Sequence, residues 1–193
     1  MKKTMLLRWL CLLVLFNLGT TTLGGSHPAW ARNKETREFS ISGQGYLRLV
    51  VPQGWKAEFQ RPITEEAPTI IFLPPKESAF KLLVTVQWDP KAGLDFNSPS
   101  RINTLLEKEW QEMAPAIKET LYEAIKIQGP SAQGLYILFT DQDPQPGDYA
   151  YMIRAGVGVG KLLLSATLVF QEKDSPVVLD TLNLLKTATV VSN

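Results

Sequence analysis

The decapeptide YLRLVVPQGW, residues 46–55, is the stretch of the chain that says most about its fold. Residues 46–51 are rich in side chains that favour β-structure, which predicts a strand. Pro52 and Gly54 then interrupt it, because proline cannot continue a hydrogen-bonded ladder and glycine tolerates a tight bend. The stretch therefore predicts a strand and a sharp turn that ends at Trp55.

Similar β-rich segments lie on both sides of this turn. The most regular is 80–88, where Leu82, Val84, Val86 and Trp88 alternate with a more polar set that should face away from the core. Most of the later connections are short, which favours antiparallel pairing, because parallel strands need long crossovers. The predicted strands cover residues 38–41, 46–51, 55–59, 69–73, 80–88, 119–128, 135–141, 149–155 and 161–170.

Two glycine-containing segments are interpreted as hairpin turns, namely residues 129–131 and the sequence GVGVG at 156–160. The second resembles a phosphate-binding loop superficially. However, Leu162 follows Lys161 where that motif needs Ser or Thr, and a strand follows where a helix is required. A hairpin turn is the better interpretation.

Two amphipathic helices are also predicted. Ser98 and Pro99 provide an N-cap and a first helical residue, and Pro115 ends the first helix. The second helix begins near Pro176. The side chains expected to face the sheet are Ile102, Leu105, Leu106, Trp110 and Met113 in the first helix, and Val178, Leu179, Leu182 and Leu185 in the second.

This order of elements predicts one α+β domain over residues 32–193. We expect a mostly antiparallel sheet of about six to eight strands, packed with two main helices as an αβα sandwich. No linker or internal repeat suggests a second domain.

Residues 1–31 have the pattern of a secretory signal peptide. Lys2, Lys3 and Arg8 accompany an apolar core, and Ala29-Trp30-Ala31 forms a small-x-small cleavage site. The apolar run is shorter than the ~20 residues that span a bilayer. Cleavage after Ala31 is therefore favoured over a retained anchor, which gives a periplasmic or otherwise extracytoplasmic product with no stable membrane span.

Cleavage would remove His27 and Cys11, the single histidine and the single cysteine of the chain. The product could then form no Ser-His-Asp triad, thiolate nucleophile or histidine-ligated metal centre. Carboxylate chemistry, a Ser-Lys pair and an oxygen-ligated metal remain open. Arg and Lys residues are scattered rather than gathered into the basic stripe that nucleic acids require, so nucleic acid is not an expected partner.

The polar sequence DQDPQPGD, residues 141–148, suggests a weak calcium site. Asp141, Asp143 and Asp148 would supply carboxylate oxygens, the ligands that Ca²⁺ prefers. The spacing is not that of an EF-hand, since Met152 stands where a bidentate Glu belongs. A solvated loop is the alternative interpretation, and no other cofactor is expected.

Aromatic residues provide a second candidate site. Tyr149 and Tyr151 lie two residues apart, on one face of a predicted strand beside the acidic loop. We predict that they form a binding surface together with Trp55, because a groove between sheet and helix is the usual place for an apolar ligand. For Trp55 the alternative is that the indole closes the edge of the core.

The strand followed by Pro-x-Gly-Trp at residues 46–55 resembles the opening of the Mog1/PsbP-like α/β proteins, which include the bacterial DcrB-like group. The later order of elements fits this resemblance over most of residues 32–193. The resemblance implies an antiparallel sheet sandwiched by helices and a largely non-enzymatic role. Members of the family include photosystem extrinsic subunits, a nuclear-import cofactor and envelope proteins, and they share no catalytic residues that could be assigned here.

Three functional hypotheses follow. The preferred one is an exported, non-enzymatic binding or assembly-supporting domain whose partner is another envelope or secreted protein. The second is a periplasmic carrier of a small apolar ligand. The third is a carboxylate- or Ca²⁺-dependent hydrolase. The sequence does not define an oligomeric state.

Overall fold

The computed structural model describes residues 34–61, 67–73, 80–89, 91, 93 and 95–192. The signal peptide predicted at residues 1–31 lies outside them. In chain order the elements are β1 (Lys34–Ile41), β2 (Gly45–Pro52), β3 (Lys56–Gln60), β4 (Thr69–Leu73), β5 (Phe80–Gln87), α1 (Pro99–Met113), a 3-10 turn (Ala114–Ala116), β6 (Ile125–Gln128), β7 (Ala132–Thr140), β8 (Tyr151–Val159), β9 (Leu162–Phe170), α2 (Pro176–Lys186) and β10 (Thr189–Val191).

The described strands form two antiparallel sheets. One has seven strands in the order β3-β4-β5-β9-β8-β7-β6, and the other has three in the order β1-β2-β10. The predicted α+β class, with a large antiparallel sheet and two main helices, is confirmed. The sequence interpretation missed the second sheet and missed β10, which returns after α2 to pair with β2.

The first helix begins where its sequence predicts. The Ser98 side chain accepts a hydrogen bond from the backbone N–H of Arg101 at 3.3 Å, and Pro99 is the first helical residue. This satisfies one of the N–H groups that a helix leaves unpaired at its start. The helix ends at Met113, and Pro115 lies in the 3-10 turn that follows.

Two hydrophobic clusters lie on opposite faces of the seven-stranded sheet. The larger one lies between this sheet, the three-stranded sheet and α2, and it includes Leu82, Val84 and Leu164. We call this side of the seven-stranded sheet the inner face. The smaller cluster forms where α1 packs on β7 and β8 through Ile102 and Leu106. We call that side the outer face.

The predicted hairpin is confirmed, since β8 and β9 pair antiparallel, but its turn does not occupy the whole segment 156–160. β8 runs through it to Val159, and the chain turns at Gly160 instead. The segment stays in the strand because α1 and Asn97, the residue before its N-cap, lie close to it. A Cβ at Gly156 would lie 2.7 Å from Ile102 Cγ2, and one at Gly158 would lie 2.5 Å from the Asn97 carbonyl oxygen. The glycines let the helix come close to the sheet.

The predicted strand 119–128 is shorter than expected, since β6 contains only Ile125–Gln128. Further upstream, the Glu119 carboxylate replaces a backbone partner. It accepts the Thr140 N–H at 2.9 Å and the Thr140 hydroxyl at 2.7 Å. Because the Glu119 side chain already accepts the Thr140 N–H of β7, residues 119–124 do not pair with β7 as a strand.

The apolar stripes of the two helices also need correction. Leu179 was expected to face the sheet but is 62% exposed, and Leu105 is 42% exposed. In α2, Leu182 and Leu185 are buried as predicted, and the buried side also includes Val177, Asp180, Thr181 and Leu184. None of the described helices is long and apolar enough to cross a bilayer.

Candidate functional site

A row of aromatic rings joins two of the three predicted binding residues on the inner face. The Trp55 ring lies 4.5 Å from that of Phe80, centroid to centroid. Phe80 is the cross-strand partner of Phe170, on which Tyr151 stacks at 5.4 Å. Trp55 is 1% exposed, so it closes the core and presents no surface to a partner.

The two predicted tyrosines are partly exposed at the same end of the sheet as this row. Tyr151 is the first residue of β8 and packs against the inner cluster, whereas Tyr149 precedes the strand. The structure therefore brings Tyr151 to the accessible end of a row whose other end, Trp55, is buried. Whether Tyr149 and Tyr151 bind a partner stays a prediction.

The acidic loop next to them is held by its own hydrogen bonds. Asp141 Oδ1 accepts the N–H of Asp143 at 3.0 Å, and the Gln142 side chain donates to the Ile117 carbonyl at 2.5 Å. Within the described part of the chain, no three Asp, Glu, His or Cys side chains gather so as to hold a metal ion. The calcium site at Asp141, Asp143 and Asp148 remains a prediction from sequence.

A larger accessible surface lies on the outer face, beyond the reach of α1. On β4 and β5 the side chains that point outward are all partly exposed, whereas their inner-face neighbours are buried. A small part of β9 continues this surface. We call it the open face, and its residues are Thr69, Ile71, Leu73, Lys81, Leu83, Thr85, Gln87 and Ser165.

The open face has an apolar centre and a polar border. Ile71 and Leu83 are cross-strand partners, and Glu58 on the edge strand β3 is the next partner of Ile71. At one end the hydroxyls of Thr69 and Thr85 share a hydrogen bond of 3.0 Å. An apolar centre with a charged and hydroxyl-bearing rim is typical of a protein interface.

An ion pair between α1 and the sheet marks the border of the open face. Arg154 on β8 donates to both carboxylate oxygens of Glu109, at 2.8 and 2.6 Å. Its remaining nitrogen donates to the Thr167 hydroxyl on β9. Leu105, one helical turn before Glu109, lies on the same side of α1 and is 42% exposed.

The opposite side of α1 is covered by the segment that leads to β6. The Tyr122 hydroxyl donates to Asn103 Oδ1 at 3.0 Å, and its ring packs on that of Trp110 at 6.1 Å. Burial, and secondarily the charge of Glu107, raises the pKa of Tyr122 above its usual value. This contact explains why α1 is closed on the β6 side and accessible on the side of the open face.

The open face suits contact rather than chemistry. Its side chains are three aliphatic groups, three hydroxyls, one amide and one lysine, which can bury area and form hydrogen bonds with a flat partner. The pKa of Tyr136 is raised by burial and then by Glu123, and the pKa of Asp180 is raised by burial. Both residues lie away from the open face, on β7 and α2.

The open face was missed at the level of sequence, although part of its signal was visible. The alternation in 80–88 identifies Leu83, Thr85 and Gln87 as the set that faces away from the core. Nothing local shows which outward residues α1 covers, because that depends on where the helix crosses the sheet.

This arrangement of a large antiparallel sheet, a smaller second sheet and two helices is a Mog1/PsbP-like fold, as the resemblance implied. The solution structure of cyanobacterial PsbP (CyanoP) from Synechocystis sp. PCC 6803 matches the chain with a TM-score of 0.53 and 13% sequence identity. The match covers 89% of this chain and 98% of CyanoP. Identity at this level shows a shared fold.

A crystal structure from Bacteroides thetaiotaomicron VPI-5482 also matches, with a TM-score of 0.44 and 11% identity, over 76% of this chain and 46% of that one. No protein-family model matches the chain, and no curated protein sequence is significantly similar to it.

Proposed function

We propose that this chain is an exported, non-enzymatic binding or assembly-supporting domain whose partner is another envelope or secreted protein. Residues 1–31 direct export and are removed, and residues 32–193 act in the periplasm or another extracytoplasmic compartment. N-terminal sequencing of the mature protein should begin at Arg32. A protein that still begins at Met1 would contradict this part of the proposal.

The open face is the observation that carries the proposal. It is a sheet surface with Ile71, Leu73 and Leu83 in partly exposed positions, bordered by Lys81 and the Glu109 carboxylate. Exposed apolar side chains rimmed by polar ones commonly mark interaction sites. Because the surface lies on paired strands rather than on loops, a partner could dock on it with little loss of conformational freedom.

Two further observations support a binding role. Loss of residues 1–31 leaves a chain without histidine or cysteine, which removes the commonest catalytic groups. The shared fold with CyanoP is compatible with a binding or assembly role, since the family resemblance implies proteins that support assemblies.

Site-specific crosslinking tests the proposal directly. A photoreactive amino acid at Leu83 should give an adduct with a distinct protein in the native cell envelope, and Ile71→Glu in the same chain should abolish it. The matched control places the photoreactive residue at Tyr46, which is 42% exposed on the three-stranded sheet. Equal adducts at both positions, or an adduct that survives Ile71→Glu, would rule out the open face as the docking site.

The same purified protein separates the other two hypotheses. A carrier of an apolar ligand should show extra mass in native mass spectrometry. A calcium site at Asp141, Asp143 and Asp148 should raise Tm as Ca²⁺ is added, because a ligand that binds the folded state stabilises it. Unchanged mass and unchanged Tm, together with intact substrates in a hydrolase activity screen, would leave the binding domain as the remaining hypothesis.

A further inference from the structure

The seven-stranded sheet ends at β6, and the other side of this strand is a free edge in the described residues. Gly129 N–H donates to the Ala132 carbonyl at 2.8 Å, which closes the β6–β7 hairpin. Residues alternate along an antiparallel ladder between those that bond to the neighbour and those that do not. Ile127 and Ile125 therefore bond to β7, and the N–H and C=O of Lys126 point outward.

Exposed apolar side chains surround this edge. Ile125 is 42% exposed on the strand itself, and Leu121 is 79% exposed in the segment just before it. Ile125 and Leu121 are two of the five large exposed hydrophobic side chains in the described part of the chain.

The edge strand β1 of the three-stranded sheet carries stronger protection. β1 is lined by charged residues, with ion pairs between Arg37 and Glu35 and between Arg48 and Glu38. Charges of this kind disfavour pairing with another strand. On β6 the single charge is Lys126, so a partner strand must avoid placing a second cation opposite it.

We propose that a second copy of this chain pairs with the free edge of β6 in an antiparallel arrangement, with Ile125 on the two-fold axis. The backbone N–H and C=O groups that point to the free edge belong to even-numbered residues. In the antiparallel pair, an even-numbered residue of one copy must therefore face an even-numbered residue of the other. With Ile125 facing itself, Lys126 faces Ala124 of the second copy, and each Lys126–Ala124 pair can exchange two backbone hydrogen bonds once pairing extends β6 by one residue to Ala124. The exposed isoleucines then cover each other.

Neighbouring registers fit less well. Centring the pair on Lys126 would place two ammonium groups together, which is destabilising. Centring it on Ile127 uses a side chain that is 1% exposed and leaves Ile125 uncovered. A two-fold contact of this kind is self-complementary and closed, so it yields a dimer and not a fibre.

The contact is small. β6 contributes only four residues of each copy, whereas stable interfaces bury about 1,200–2,000 Å² in total. We therefore expect a weak dimer whose population rises with concentration. The surface is separate from the open face, so this inference stands independently of the proposed function.

Sedimentation velocity of residues 32–193 over a range of concentrations tests the pairing. Lys126→Pro removes the outward N–H, a change that edge strands tolerate, whereas Lys126→Ala keeps it. We expect the proline variant to be monomeric throughout, and the alanine variant to dimerise at least as well as the unmodified chain.

A second pair of variants does not depend on proline being accommodated. Ile125→Lys should raise the dimer dissociation constant by at least about tenfold, as expected for loss of a central contact. Leu105→Lys, at a position of equal exposure on α1, should leave it unchanged. A chain that stays monomeric at every concentration, or a dimer that survives Ile125→Lys, would overturn the proposal.

Discussion

The two faces of the seven-stranded sheet are built from the same strands but are covered to different extents. On β5, Leu82 is completely buried on the inner face, while Leu83, the next residue, is partly exposed on the outer face. The inner face is covered by a second sheet and by α2. The outer face is covered by α1 over β7 and β8, and β4 and β5 extend beyond that cover.

This contrast separates the face that stabilises the fold from the surface that is available to a partner. Burying a leucine side chain contributes about 1.5–3 kcal/mol. The inner face, which holds the larger cluster, therefore contributes more hydrophobic stabilisation than the outer face. The outward residues of β4 and β5 keep part of their apolar surface accessible. That surface can be buried by a partner, provided that the inner face alone keeps the strands in place.

The largest expected effect comes from truncating the two neighbouring leucines separately. Leu82→Ala should lower the free energy of unfolding by about 2–5 kcal/mol, because it leaves a cavity in a packed core. Leu83→Ala should lower it by less than about 1 kcal/mol, because water reaches that position. Urea denaturation of both variants measures the difference. Equal losses would mean that the outer position is as well packed as the inner one.

A second prediction concerns the covered part of the outer face. Gly158→Ala should cost about 1–3 kcal/mol, since the added methyl group would lie 2.5 Å from the Asn97 carbonyl oxygen. Gly93→Ala is the control, because nothing lies within 4 Å of a Cβ built there. Thermal or urea unfolding compares the two. If Gly158→Ala is neutral, the entry to α1 is not held as close to β8 as the structure shows.

The ion pair at the border between the covered and open parts of the outer face should have a smaller effect on stability. Arg154→Ala should destabilise the protein by about 1 kcal/mol, because the ion pair with Glu109 is partly exposed and its attraction is screened. Arg154→Lys should restore little of this, since an ammonium cannot make the two parallel hydrogen bonds of a guanidinium. A double-mutant cycle with Glu109→Gln isolates the pair, and a coupling energy of zero would contradict its structural role.

Local patterns in the sequence were enough to predict most elements of the fold. The alternation in residues 80–88 and the Ser98-Pro99 start of α1 are short-range signals, and the structure confirms both. The failures are long-range. Gly156 and Gly158 were interpreted as a turn because their role, admitting Ile102 and Asn97, depends on a helix start that lies more than fifty residues earlier in the chain.

The candidate site was harder to predict for the same reason. An aromatic residue after a turn, such as Trp55, has the same local signal whether it faces a partner or the core, and here it faces the core. Conversely, Ile71 and Leu83 look like core residues in the sequence. Their accessibility follows from the position at which α1 crosses the sheet, which no local pattern encodes.

The last prediction concerns Asp180, a polar exception in the layer that covers the inner face. Asp180 on α2 is 9% exposed, and its Oδ2 has no hydrogen-bond partner in the described structure. Burial raises the pKa of this carboxyl above its ordinary value of 3.8, and the charge of Lys34 opposes the shift. Between the two pKa values the folded state binds more protons than the unfolded state, so stability falls as pH rises through the folded pKa.

Asp180→Asn removes this titration and keeps the shape of the side chain. The variant should be more stable than the unmodified protein at neutral pH, and its advantage should shrink as pH is lowered toward the ordinary pKa of the carboxyl. Urea midpoints of both proteins across the acidic range measure the difference. An advantage that stays constant with pH would show that desolvation of the carboxylate is not its cause. A loss of stability at neutral pH would mean that the ionised carboxylate, with Lys34 nearby, stabilises the inner layer instead.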